Sequence, residues 1–482
     1  MKIPLKRLIL GQYRPFWVLI TWIILFWLIL YINGFPQPFG DDLFYIGAAI
    51  NLVKTGQFVN PLLAMWAPQT VERFLVTPPF HSYTLAGWIT LFGDRTASLL
   101  FFQYVCYVVF SIFTAATLRH YRFSDHSILV LPIIYATWMS LVGLRPDALG
   151  MAYLAIGLWF LLQDSVWRYG LGFSFLGAAL GTLPILVAYA VPFSLTIMVL
   201  NLRQHHKLKL QYFLSRLAAL LGAIAFIAVL LLWAIDFELN QFLADMAWHA
   251  SFRVPDSAYI IPQILFDIRV GYGEIIYGSL YFTLAICLYL LLQNRNSDKK
   301  KLLCFSMACI MALIGNLWIY ASTLRMSFNF FCWLLVTVIA LNLKMNKKVR
   351  IGLWALCLAT FLIYQSQMII AGIGQVKLDN TQYQTILNWV EAHPERDYLV
   401  DEVSARFVFD YNFPPNTSDW RFLKVQSVGP ASVTEKLPNT AWIIATDKAA
   451  ITTDLPDYER VTLFGRRFGS IPRSPYDVML VE

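Results

Sequence analysis

Apolar runs near membrane-spanning length recur along most of this chain, as in LITWIILFWLIL at 19–30 and LLGAIAFIAVLLLW at 220–233. Short polar clusters separate them. A hydrocarbon core of roughly 30 Å asks for about 20 apolar residues per helix, so the pattern predicts transmembrane helices. Spans are expected near 15–33, 96–118, 127–144, 147–164, 169–184, 186–202, 213–236, 274–293, 301–320, 328–344 and 350–371. The stretch 169–202 is the ambiguous one. As a single helix it would be about 50 Å long, too long for the core, and Pro184 and Pro192 offer places to break it. Two short spans are predicted there, giving about eleven in all.

The pattern changes after residue 371. TQYQTILNWVEAHPE (381–395) has helical periodicity, whereas DYLVD, AWIIATD, ERVTLF and DVMLVE alternate as short strands. The expected fold is therefore an all-α polytopic membrane domain over 1–371 with a small C-terminal α/β domain over 372–482.

Charge supplies the topology. Basic clusters lie at the N-terminus (Lys2, Lys6, Arg7, Arg14), RHYR 119–122, the 164–168 turn, NLRQHHKLK 201–209, NRNSDKKK 294–301 and KMNKKVR 344–350. With a cytoplasmic N-terminus, all of these fall on one side, as the positive-inside rule requires. Merging the two short spans would put three of them on the wrong face. The tail and three polar segments then lie outside the cytoplasm: 34–95, the turn GLRPDALG at 143–150, and 236–273. HSYTLAGWITLFG (81–93), amphipathic and too short to span, is expected to lie in the interface.

Composition narrows the classes. The chain of 482 residues is 58% hydrophobic and only 14% charged, against about 25% charged in a soluble domain. Its net charge of +8 resides in topological clusters, which excludes a nucleic-acid reading. Its six cysteines all fall in predicted spans with no CxxC pair, so they read as small apolar residues. The apolar run at the N-terminus is too long for a signal peptide and lacks a cleavage site, so it is expected to remain as the first span.

Candidate chemistry therefore gathers on the non-cytoplasmic side. Carboxylates at a membrane surface are partly desolvated, which raises their pKa toward that of a useful general base. Arginine holds phosphate oxygens in a planar fork. Asp41 and Asp42 follow the first span directly, and Asp147 follows Pro146 at a helix start, where capping and the helix dipole alone would favour an acid. Taken singly, each acid has an ordinary structural reading, and His249 in WHASFR reads as an interfacial or satisfied histidine.

Their order along the chain is more specific. GDDLFY (40–45), with the continuation DDLFYIGAAINLVKTGQFVNP, VERFLVTPPFHSYTLAGWITLFG and RPDALGMAYLAIGL, resembles GT-C glycosyltransferases, nearest to the protein O-mannosyltransferase and lipid A aminoarabinose transferase branch. The similarity covers about residues 10–165. It implies GT-C architecture and transfer of a sugar from a polyprenyl-phosphate donor to a glycan, lipid or protein acceptor. By that resemblance Asp41 is the first-loop catalytic acid, Asp42 its companion and Asp147 the second acidic position. Arg73, Arg145, Arg253, Arg269 and Arg325 are candidates for the donor phosphate, and Tyr45, Glu72, His81 and His249 for substrate. The aminoarabinose transferases carry Glu-Lys before the Pro-Pro pair, where this chain has Val76-Thr77. That departure leaves the use of a divalent metal ion open. No other cofactor is implied, and the expected location is a bacterial inner (plasma) membrane. The rival readings are a lipid or polysaccharide transporter or flippase, a surface-polysaccharide polymerase or ligase, and a non-catalytic scaffold.

Overall fold

The computed structural model describes helical residues between 17 and 25, residues 40–135 and 144–204 with a few gaps, 210–251, 273–292, 297–320, 326–343 and the strands of the tail. The helices whose bounds are described in full are, in order, α1 (Gly40–Thr55), α2 (Phe80–Phe92), α3 (Thr96–His120), α4 (Asp147–Leu161), α5 (Val166–Thr182), α6 (Val187–Gln204), α7 (Leu210–Ala234), α8 (Leu239–Ser251), α9 (Gly273–Leu292), α10 (Ser297–Tyr320) and α11 (Met326–Leu341). Among the described residues, three stretches are long and apolar enough to cross a membrane: Ser98–His120, Pro184–Leu202 and Leu210–Ala234. The protein is an integral membrane protein. The spans expected at 15–33, 127–144 and 350–371 lie largely outside the described residues.

α4 is apolar all round and buried along most of its length, as a central bundle helix must be. It packs between α3 and α5. Its approach to α5 depends on two glycines: a Cβ on Gly157 would lie 2.9 Å from the carbonyl oxygen of Gly172. α7 contrasts with it, since only 11% of its apolar window is buried. Phe226, Val229 and Trp233 face outward from it, toward lipid.

The ambiguous 169–202 stretch does break. Leu183 is extended, Pro184–Leu186 forms a single 3₁₀ turn, and α6 follows. The chain reverses there, because Asn201 near the end of α6 donates to the Leu161 carbonyl and to the Tyr169 hydroxyl at the start of α5.

The bundle's two ends carry different polar contacts. At one end Lys301 Nζ donates to the Tyr121 carbonyl at 2.7 Å, and Asn342 accepts from the Ser124 amide at 3.0 Å. These residues belong to or border three of the basic clusters. At the other end the first polar segment is ion-paired to residues 236 and 238.

The tail holds a five-stranded sheet, β1 (Asp397–Asp401), β2 (Trp420–Leu423), β3 (Thr440–Asp447), β4 (Tyr458–Leu463) and β5 (Tyr476–Val481), in the order β2-β1-β3-β5-β4. β1 pairs in parallel with β2 and β3, while β5 pairs antiparallel with β3 and β4. β2 was not anticipated from the alternation pattern. Its edge approaches the 3₁₀ turn Pro61–Leu63 of the first loop. The helix expected at 381–395 lies outside the described residues.

Candidate functional site

The first loop is built to hold helix starts against one another. α1 opens at Gly40, so Asp41 and Asp42 occupy its first turn, where the dipole favours acids; their side-chain atoms lie outside the described ones. α1 ends with Gly56 at φ 74°, a left-handed stop. The chain then folds back so closely that a Cβ on Gly47 would meet the Asn60 side chain at 2.5 Å. Thr70 clamps the return, its hydroxyl donating to the carbonyls of Asn60 and Ala67. Pro79 caps α2, which places His81 in the first turn of that helix.

Three elements meet at His81. The imidazole is 3% exposed and donates a hydrogen bond to the Tyr45 backbone carbonyl of α1. The Tyr45 and Phe102 rings lie edge-on to it, with centroids at 6.3 and 6.4 Å. Burial lowers its pKa to about 4, against the opposing pull of the Asp147 carboxylate and the Tyr45 bond. The ring is therefore neutral at physiological pH, and its Nδ1 is buried without a hydrogen-bond partner. Asp147, at the first position of α4 and 2% exposed, faces Arg145 with Nε 3.4 Å from Oδ2. Tyr45, His81, Arg145 and Asp147 thus form one cluster, and Tyr45 is one helical turn along α1 from Asp41.

The other candidates lie elsewhere or act otherwise. Arg73 is held by Asp236 and Glu238, each at 2.7 Å. The hydrogen bond to Asp236 is the main force raising its pKa, with burial opposing it. His249 is buried on α8, and its Nδ1 lies 2.7 Å from the Val76 carbonyl oxygen. That contact fixes the backbone just before Pro78-Pro79, while Val76 and Thr77 themselves are buried. A charged pair at these two positions would be desolvated. Glu72 is exposed. Arg253, Arg269 and Arg325 lie outside the described residues. Among the described residues, no group of three or more His, Cys, Asp or Glu side chains is placed to hold a metal ion.

Sequence reasoning did not single out Asp236 and Glu238 as partners of Arg73. They join positions 163 residues apart, and no local pattern encodes such a meeting. α1 itself was legible in hindsight: acids open it and Lys54-Thr55-Gly56 closes it.

No family model matches the sequence, and no curated protein matches it. Among solved structures, the chain is similar to the archaeal oligosaccharyltransferase AglB from Archaeoglobus fulgidus in complex with an inhibitory peptide and a dolichol-phosphate. That similarity is 13% identity with a TM-score of 0.44, covering 84% of this chain and 64% of that one. A crystal structure of the Archaeoglobus fulgidus oligosaccharyltransferase with Zn and sulfate gives 13% identity and a TM-score of 0.40, covering 84% and 62%. The chain thus spans less than two thirds of either structure. Overlap at this level fixes neither the fold family nor the chemistry, so the functional reading rests on this chain's own residues.

Proposed function

We propose that the protein is a membrane glycosyltransferase of GT-C type, moving a monosaccharide from a polyprenyl-phosphate donor to an acceptor on the extracytoplasmic face. The observation that carries this reading is the meeting of Asp147, His81 and Tyr45 beside the first turn of α1, where Asp41 and Asp42 stand. Asp147 from one segment and the helix start carrying Asp41 and Asp42 from another are joined through His81 and Tyr45.

In the proposed reaction Asp41 takes the proton from the acceptor's hydroxyl or amine. The acceptor atom attacks the anomeric carbon from the face opposite the phosphate. The bond to the phosphate oxygen breaks with its electron pair, and the configuration inverts. Polyprenyl phosphate leaves as a stable anion, so no strong general acid is needed. Arg145, and Arg253, Arg269 or Arg325 from the neighbouring segments, would stabilise its charge. Asp42, Asp147 and Tyr45 would orient the sugar and the acceptor. Neutral His81 cannot serve as a cation for the phosphate at physiological pH, so its proposed role is to accept or position a hydroxyl. Arg73 and His249 would support the site, the first by holding residues 236–238 and the second by holding Val76.

The test is purified protein in detergent, incubated with a panel of polyprenyl-phosphate monosaccharides and scored for donor hydrolysis or transfer. Turnover of at least one donor is expected. A transporter would instead move such lipids across vesicles without cleaving any of them.

A further inference from the structure

Beside α2 lies a cavity of about 340 Å³, walled by Phe80 and Tyr83 of α2, Tyr153 of α4, Phe175 of α5, and Phe226 and Trp233 of α7. Its hydroxyl groups are occupied internally. Tyr83 donates to the Ala234 carbonyl at 3.0 Å, Thr84 and Tyr153 bond each other at 3.0 Å, and Ser174 donates to the Gly170 carbonyl. What remains to meet a ligand is hydrocarbon.

The shape is as informative as the lining. The α7 wall runs from Phe226 to Ala234, about 12 Å along the helix axis at 1.5 Å per residue. That is close to one leaflet of a core roughly 30 Å thick. α7 is also the described span most exposed to lipid, so the cavity borders the bilayer.

At its polar end the cavity meets a built turn. Just past Trp233 and Ala234, Asp236 and Phe237 adopt left-handed backbone with φ 55° and 63°. The Asp236 and Phe237 amides donate to the Trp233 and Leu232 carbonyls, and both Asp236 and Glu238 clasp Arg73. Two carboxylates face one guanidinium there, leaving a net charge of −1. Asp236 and Glu238 remain 71% and 50% exposed, whereas Arg73 is 28% exposed. Such a headgroup site repels an anionic phosphate and attracts an ammonium.

We propose that this cavity is a lipid-binding site for one acyl chain of an ammonium-headed zwitterionic phospholipid, its amine resting on Asp236 and Glu238. The lipid is a resident of the fold and not the sugar donor, because Arg73, the cation at this mouth among the described residues, is already held by Asp236 and Glu238. Its chain packs against Phe80, Tyr83 and Thr84 of α2, and His81 of the same helix meets α1. Occupancy thus braces the helix that carries the candidate site.

The test uses the full chain, delipidated in detergent and titrated with palmitoyl-oleoyl phosphatidylethanolamine or the matching phosphatidylglycerol. Retained lipid is counted by native mass spectrometry. Phosphatidylethanolamine should be retained about fivefold better, the ratio a single partly exposed ion pair supplies. The Asp236→Asn/Glu238→Gln double variant frees Arg73 from both carboxylates and should reverse the preference. Ala178→Phe fills the cavity and should remove one retained lipid of either kind. Equal retention of the two lipids by the unaltered protein would overturn the proposal. So would annular binding only, seen as retention that neither set of variants changes.

Discussion

The two ends of the helical bundle treat polar groups differently. At the end bearing Lys301 and Asn201, polar side chains close off backbone: Lys301 holds the Tyr121 carbonyl, Asn201 the Leu161 carbonyl, and Asn342 the Ser124 amide. Arg216 adds a stacked contact, 3.6 Å above the Tyr212 ring. Each of these groups finishes a helix or a turn. At the opposite end charge meets charge, across 163 residues for Arg73 and Asp236 and within one turn for Arg145 and Asp147, and His81 Nδ1 is buried without a partner. A buried polar atom without a partner costs roughly 1–3 kcal/mol. Buried unpartnered atoms occur at the first end too, at Thr117 Oγ1 and Tyr121 Oη, so the contrast lies in the charges: the first end uses them to close backbone, and the second gathers them against one another.

Asp147→Asn should separate the two ends most sharply. If Asp147 orients the sugar or the acceptor, donor turnover should fall by about a hundredfold, while the thermal midpoint of the detergent-solubilised protein stays near that of the parent. Turnover within a few-fold of the parent would return Asp147 to a capping role.

How much of this was legible beforehand follows from how local each feature is. The membrane character and the break at Pro184 are encoded in short windows, through apolar length and proline. Four strands of the tail were visible as alternation, whereas Trp420–Leu423 was not, because four residues are too few to show a period. Asp41, Asp42 and Asp147 could be nominated by their order along the chain. That Arg73 is held by two carboxylates, that His249 holds Val76 and that His81 is neutral all depend on which loops meet. Those meetings are properties of the packed fold.

The next prediction concerns pH. Burial holds His81 neutral, with its pKa near 4 against an ordinary 6.5. The unfolded chain therefore binds the extra proton first as pH falls. The stability this group contributes is complete above pH 6.5 and is lost between 6.5 and about 4, a loss of order 3 kcal/mol. Thermal midpoints measured across that window should decline, and His81→Gln should flatten the decline. An unchanged slope in the variant would mean that the imidazole is not the titrating group.

At the architectural end, Asn201→Leu leaves the Leu161 carbonyl and the Tyr169 hydroxyl without their donor. Unfolding should become easier by about 1–3 kcal/mol, with donor turnover per folded molecule unchanged. A selective loss of turnover would erase the contrast between the two ends.

The smallest effect is expected for Arg73→Gln. Both of its ion pairs are partly exposed to solvent and screening, so the cost should be about 0.5–1 kcal/mol, shrinking as salt is raised. A salt-independent loss of several times that size would show that the clasp on residues 236–238 is a folding element of the bundle.

The central claim is that the acid opening α1 is the base in glycosyl transfer, and single-turnover cleavage of a polyprenyl-phosphate sugar tests it most directly. With the parent protein and its Asp41→Asn variant compared under saturating donor, the variant's rate should be lower by about 10²–10⁴, with its fold and donor binding retained. Cleavage by Asp41→Asn at close to the parent rate would contradict the account.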